Sequence, residues 1–109
     1  MDQKIINYYY KQIVLALGEC EIKLQKNPTM HTSDGKRTGV SGWYQDGIIT
    51  IKSTGHVNIA LILIHEALHH IYPTWPEIDY MGEPIELFAR SLLCEFSTRQ
   101  IDHIMSFLP

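Results

Sequence analysis

The chain has 109 residues, of which 45% are hydrophobic and 19% charged, and it carries a formal net charge of −3. That length supports one core and so a single domain over residues 1–109. The mixed, slightly acidic charge gives no electrostatic case for nucleic acid or an anionic membrane, whose binders normally show a basic face or stripe, and the longest apolar run, residues 59–64, is far short of the ~20 residues of a membrane span.

In chain order, Ile6, Tyr10, Ile13 and Leu17 recur at helical spacing, which predicts a first helix over residues 2–17 with Asp2 as its N-cap and Gly18 as its end. Cys20, Ile22 and Leu24 alternate with Glu21, Lys23 and Gln25, the period of a half-buried strand. Residues 27–38 are polar, contain Pro28 and Gly35, and read as a loop holding the only adjacent basic pair, Lys36 and Arg37. Two β-prone runs, 40–44 and 48–52, flank Gln45-Asp46-Gly47, a hairpin signal because Gly accepts the positive φ of a tight turn.

Asn58 can cap a helix over residues 59–72, stopped by Pro73. Its first half is apolar nearly all round, so it is expected between layers. Residues 73–82, with Pro76, form an irregular crossing. Pro84 suits the first turn of a last helix, whose stripe is Ile85, Phe88, Leu92 and Phe96, and which continues or breaks and resumes through Ile101, Ile104 and Leu108. The expected fold class is α+β, a small antiparallel sheet covered by helices. Asp2 and Gln3 stand where a secretory signal would carry positive charge. Cys20 and Cys94 are then expected as free, buried thiols in a cytoplasmic protein.

His65 and His69 lie one helical turn apart, so both imidazoles leave the same face and can converge on one ion. Zinc accepts imidazole nitrogen at about 2.0–2.1 Å, and catalytic sites keep three protein ligands with one position open for water. Glu66 follows the first histidine, and its direction sets a carboxylate beside that open position, suited to take a proton from the attacking water. His65-Glu66-Ala67-Leu68-His69 therefore specifies ligand, base and ligand in one turn. The bland alternative is a group of solvent-facing residues, but this helix is otherwise Ile, Leu and Ala, where polar groups need partners and Zn2+ would provide one. Two histidines leave the site one ligand short. Glu77, Asp79, Glu83 and Glu86 follow downstream.

At these residues the chain resembles the gluzincins, zinc metallopeptidases in which HExxH is followed on a second helix by a Glu with a small residue three positions later. Here that element reads Glu86-Leu87-Phe88-Ala89-Arg90. Over residues 39–96 the layout is also similar to the minimal phage and bacterial members of the ImmA-like and SprT-like sort. The resemblance implies a zincin-like domain, Zn2+ held by His65, His69 and Glu86, and Glu66 as general base and acid in peptide-bond hydrolysis. Ala89 would let the last helix approach the metal helix. Glu83, one turn earlier on nearly the same face, competes with Glu86 for the third position, with Glu86 then part of a capping-box-like helix start; Glu77 is a third choice. The Asn or Asp companion usual around the third ligand is absent, which leaves the support of His65 and His69 unassigned.

Other residues carry less. His70 lies about 100° round the helix from His69 and reads as a rim residue. Arg90 would orient the Glu86 carboxylate, stabilise an oxyanion or simply face solvent. Tyr72 and Tyr80 are candidates to reach over the metal, against core or lid roles. Residues 48–51 are expected as the sheet edge nearest the cleft, where an extended peptide or protein substrate adds as a strand, or else as a core strand. Tyr8, Tyr9 and Tyr10 read as core and flank of the first helix, and His31, His56 and His103 as ordinary polar residues. The alternative function is a zinc-stabilised, non-catalytic regulatory or binding module of the phage antirepressor sort, in which the metal only ties two helices together. Nothing in the sequence sets an oligomeric state.

Overall fold

Asp2 accepts a hydrogen bond from the Lys4 backbone N–H at 2.7 Å and so starts the first helix, α1 (Gln3–Glu19), as expected. The structure is a computed structural model and describes residues 1–31, 37–55, 58–74 and 84–109. Helix α1 runs one residue past Gly18 to Glu19. Strand β1 (Glu21–Gln25) follows at once, then β2 (Thr29–His31), β3 (Arg37–Gly39), β4 (Gly42–Gln45) and β5 (Ile48–Lys52). Three helices complete the chain: α2 (Ile59–Ile71), α3 (Pro84–Glu95) and α4 (Thr98–Met105).

The result is an α+β fold with, among the described residues, four helices and a three-stranded sheet ordered β1-β5-β4. Two expectations about the strands are corrected. The sheet is mixed rather than antiparallel: β4 pairs antiparallel with β5, but β1 pairs parallel with β5, Glu21 opposite Ile48 and Gln25 opposite Lys52. The physical reason lies in composition. In β5, Ile49, Thr50 and Ile51 are all buried, so this strand takes the centre, whereas β1, with alternate polar residues, takes an edge where even Leu24 is exposed. Residues 48–51 are therefore the middle of the sheet and not its edge.

The second correction concerns residues 27–38, expected as loop. Thr29–His31 and Arg37–Gly39 form a separate two-stranded antiparallel sheet, Met30 opposite Thr38. Strands of three residues are too short for their sequence to show a period; mutual backbone pairing makes them, extended by the Val40 N–H donating to the Pro28 carbonyl at 3.0 Å.

The β4–β5 turn is Asp46-Gly47 alone, with φ of 49° and 79°, the doubly left-handed turn that matches the twist of a two-residue hairpin. At Gly42 a second glycine is required for space: a Cβ there would lie 2.4 Å from Ile62 Cγ2 and 3.2 Å from the Thr50 carbonyl oxygen. Its absence lets β4 lie down on α2.

Helix α2 is the hub. Asn58 caps it by accepting from the Leu61 N–H at 3.1 Å, and Pro73 lies just beyond its C-cap, Tyr72. Ala60, Leu63, Ile64, Ala67 and Leu68 are buried, and the helix packs against α1, α3, α4, β4 and β5. The last helical stretch breaks and resumes: α3 stops before Ser97, which starts α4 with a capping box shared with Gln100. Cys20 and Cys94 are free, but not core as expected; Cys20 is half-buried and Cys94 exposed, two positions beyond the buried Leu92 and thus on the outer side of α3. No described helix is long and apolar enough to cross a membrane.

Candidate metal centre

Because α2 is held on several sides by apolar packing, the polar side chains it carries are fixed in direction. His65 and His69, one turn apart, have ring centroids 4.8 Å apart, and their Nε2 atoms face each other at 3.0 Å. Tetrahedral zinc with Zn–N of about 2.0–2.1 Å separates two ligand nitrogens by roughly 3.3 Å, within a few tenths of an ångström of this spacing. Two imidazole nitrogens and a nearby carboxylate are also the donor chemistry that zinc favours. Glu66 is buried, at 5% exposure. Its Oε1 lies 3.9 Å from His65 Nε2, on the side of the ring where the two histidines converge.

Glu86 reaches the same place from α3. Ile85 and Ala89 on either side of it are fully buried, so the small Ala89 seats the helix closely and sets the intervening carboxylate toward α2. There Glu86 Oε2 lies 2.5 Å from His65 Nδ1, while its Oε1 accepts from Arg90 Nε at 2.9 Å. The structure thus brings together His65, Glu66, His69 and Glu86, but Glu86 meets the His65 ring on the nitrogen opposite the one that faces His69. Among the described residues, no set of three His, Cys, Asp or Glu side chains converges as a ready-made metal site. Glu77, Asp79, Tyr80 and Glu83 lie outside the described residues.

The neighbours sort out by contact. His70 is turned to the sheet and to α1: its Nδ1 lies 2.7 Å from the Tyr44 hydroxyl and its Nε2 3.7 Å from Glu19 Oε1. Tyr72 is engaged with Tyr9 of α1; burial raises its phenol pKa, and the hydrogen bond with Tyr9 adds to the rise. Arg90 takes the first of its three expected roles, gripping the Glu86 carboxylate. Sequence reasoning passed over Tyr44, which ties β4 to the end of α2 beside His69. Its β-strand position was legible, but its partner, 26 residues away, was not.

Comparison with known proteins finds no family model, no curated protein and no solved structure that matches this chain.

Proposed function

We propose that this protein is a minimal, gluzincin-like zinc peptidase of the cytoplasm, in which His65 and His69 hold Zn2+ and Glu66 is the general base. The observation that carries the reading is the pair of Nε2 atoms facing each other at 3.0 Å with the buried Glu66 carboxylate 3.9 Å from one of them. A bound zinc would polarise the scissile carbonyl and make water a stronger nucleophile near neutral pH. Glu66 would take the proton from the attacking water and pass it to the leaving amine nitrogen. At 3.9 Å from the His65 nitrogen, the Glu66 carboxylate is close enough to the paired nitrogens to act on a water held there.

The sheet supports a peptide or protein as substrate. Strand β4 has β5 on one side and, among the described residues, no strand on the other. Tyr44 of β4 is bonded to His70, so this free edge runs beside the metal-bearing end of α2. An extended substrate adding to β4 would lie along the site, with its backbone held by the strand's own N–H and C=O groups.

The test is paired. Metal content is measured by mass spectrometry on the intact chain, on His65→Ala and His69→Ala, and on Glu66→Gln, and hydrolysis of a quenched peptide library is followed with the same proteins. The reading expects one zinc in the intact chain, none in the histidine variants, and zinc without hydrolysis in Glu66→Gln. Turnover retained by Glu66→Gln would remove it from the role of base. Zinc binding with no hydrolysis even by the intact chain would favour the non-catalytic module instead.

A further inference from the structure

We propose that Glu86 is a positioning residue for His65 rather than the third metal ligand, an assignment that rests on the zinc reading above. An imidazole carries its two nitrogens on diverging sides of the ring, so only one of them can serve the ion shared with a neighbouring histidine. The Nε2 of His65 is the one that faces His69, at 3.0 Å; Nδ1 is the one that meets Glu86, at 2.5 Å. A carboxylate oxygen accepts hydrogen bonds, so the contact fits the His65 tautomer that carries its proton on Nδ1 and turns the Nε2 lone pair toward His69. Glu86 thereby sets both the tautomer and the rotation of the ring, in the manner of an outer carboxylate behind a metal-bound histidine.

Both carboxylate oxygens are already committed, one to His65 and the other to Arg90 at 2.9 Å. Arg90 is largely exposed, whereas Glu86 is only 26% exposed, so the chain of contacts runs inward from a surface cation through Glu86 to His65. Moving the Glu86 Oε2 onto the ion would break the His65 contact. The consequence is that the resemblance to gluzincins selects the right helix and the right residue but the wrong contact: the third ligand of the ion is supplied by another group.

The experiment uses the full chain with zinc and with cobalt(II), and the variants Glu86→Gln, Glu86→Ala, Arg90→Ala and His65→Ala. Zinc affinity is read by competition with a chromophoric chelator, and the coordination sphere by the visible spectrum of the cobalt form. A positioning role expects Glu86→Ala to bind one metal with affinity reduced roughly 10–100-fold. Its cobalt spectrum should keep the band positions and intensity of the intact chain. Glu86→Gln, whose amide oxygen can still accept from Nδ1–H, should recover part of that loss, and Arg90→Ala should show a smaller loss. If Glu86→Gln and Glu86→Ala both lose stoichiometric metal or change the cobalt spectrum as His65→Ala does, Glu86 is a ligand and the proposal falls while the zinc reading stands. If the intact chain and His65→Ala are alike in binding no metal, both fall together.

Discussion

At the scale of single residues, the informative positions are those where a side chain's direction matters more than its type. The shared face of HEALH is legible in the sequence because a spacing of four on a helix forces two imidazoles onto one side. Glu86 differs. Its helix and its small neighbour Ala89 are legible, but which nitrogen of His65 it meets depends on how α3 rolls against α2. Gly42 is a position of the same kind, since nothing in the run Val40 to Tyr44 says that a side chain there would strike Ile62. Gly42→Ala is expected to lower stability by about 1–3 kcal/mol, as overpacking does. Trimming the obstacle in the double variant Gly42→Ala/Ile62→Ala should recover part of that cost. Thermal or urea unfolding of the two single variants and the double checks it; simple additivity would show that the clash is not the cause.

At the scale of elements, the chain's helices were legible and its strand partners were not. Each helix start carries a local signal that the structure uses: Asp2 for α1, Asn58 for α2, Pro84 for α3 and the Ser97–Gln100 box for α4. Ser97 accepts from the Gln100 N–H at 3.2 Å, and Gln100 Oε1 accepts from the Ser97 N–H at 3.0 Å. Ser97→Ala removes the first of these bonds and should cost about 0.5–2 kcal/mol. Because the cap sits at the break between α3 and α4, amide hydrogen exchange should quicken at the start of α4 and leave α2 unchanged; equal loosening of α2 would show that the box supports more than its own helix. The β4–β5 hairpin was equally legible, from Asp46-Gly47. The parallel pairing of β1 with β5 was not, because β1 and β5 are joined through residues 26–47 and sequence period says which face a strand buries but never which strand lies beside it. The small β2–β3 sheet had no period to read at all.

At the scale of the whole molecule, α2 links the parts: it packs on α1, α3, α4 and the sheet, and it carries the proposed site. Under this reading, zinc binds the folded chain and joins two turns of the hub helix, so it should stabilise the entire cooperative unit. With free zinc at one hundred times its dissociation constant, linkage gives about 2.7 kcal/mol, and for a domain of this size that corresponds to a rise in Tm on the order of 10 °C. Differential scanning calorimetry with zinc, and again after a chelator, measures it. An unchanged Tm in both would count against any metal held by α2.

The sequence by itself determined the α+β class, the starts of α1, α2 and α3, the hairpin turn and the HEALH face, because each follows from interactions within about one turn or one hairpin along the chain. Only the tertiary structure decided that β5 lies at the centre of a mixed sheet, that β4 has no second partner strand among the described residues, and that Glu86 reaches His65 through Nδ1. Those outcomes rest on how separate elements share one core, where burial is allotted by competition among all of them: Ile49 and Ile51 take the middle of the sheet, and Ile85 and Ala89 fix the roll of α3 that aims the carboxylate between them.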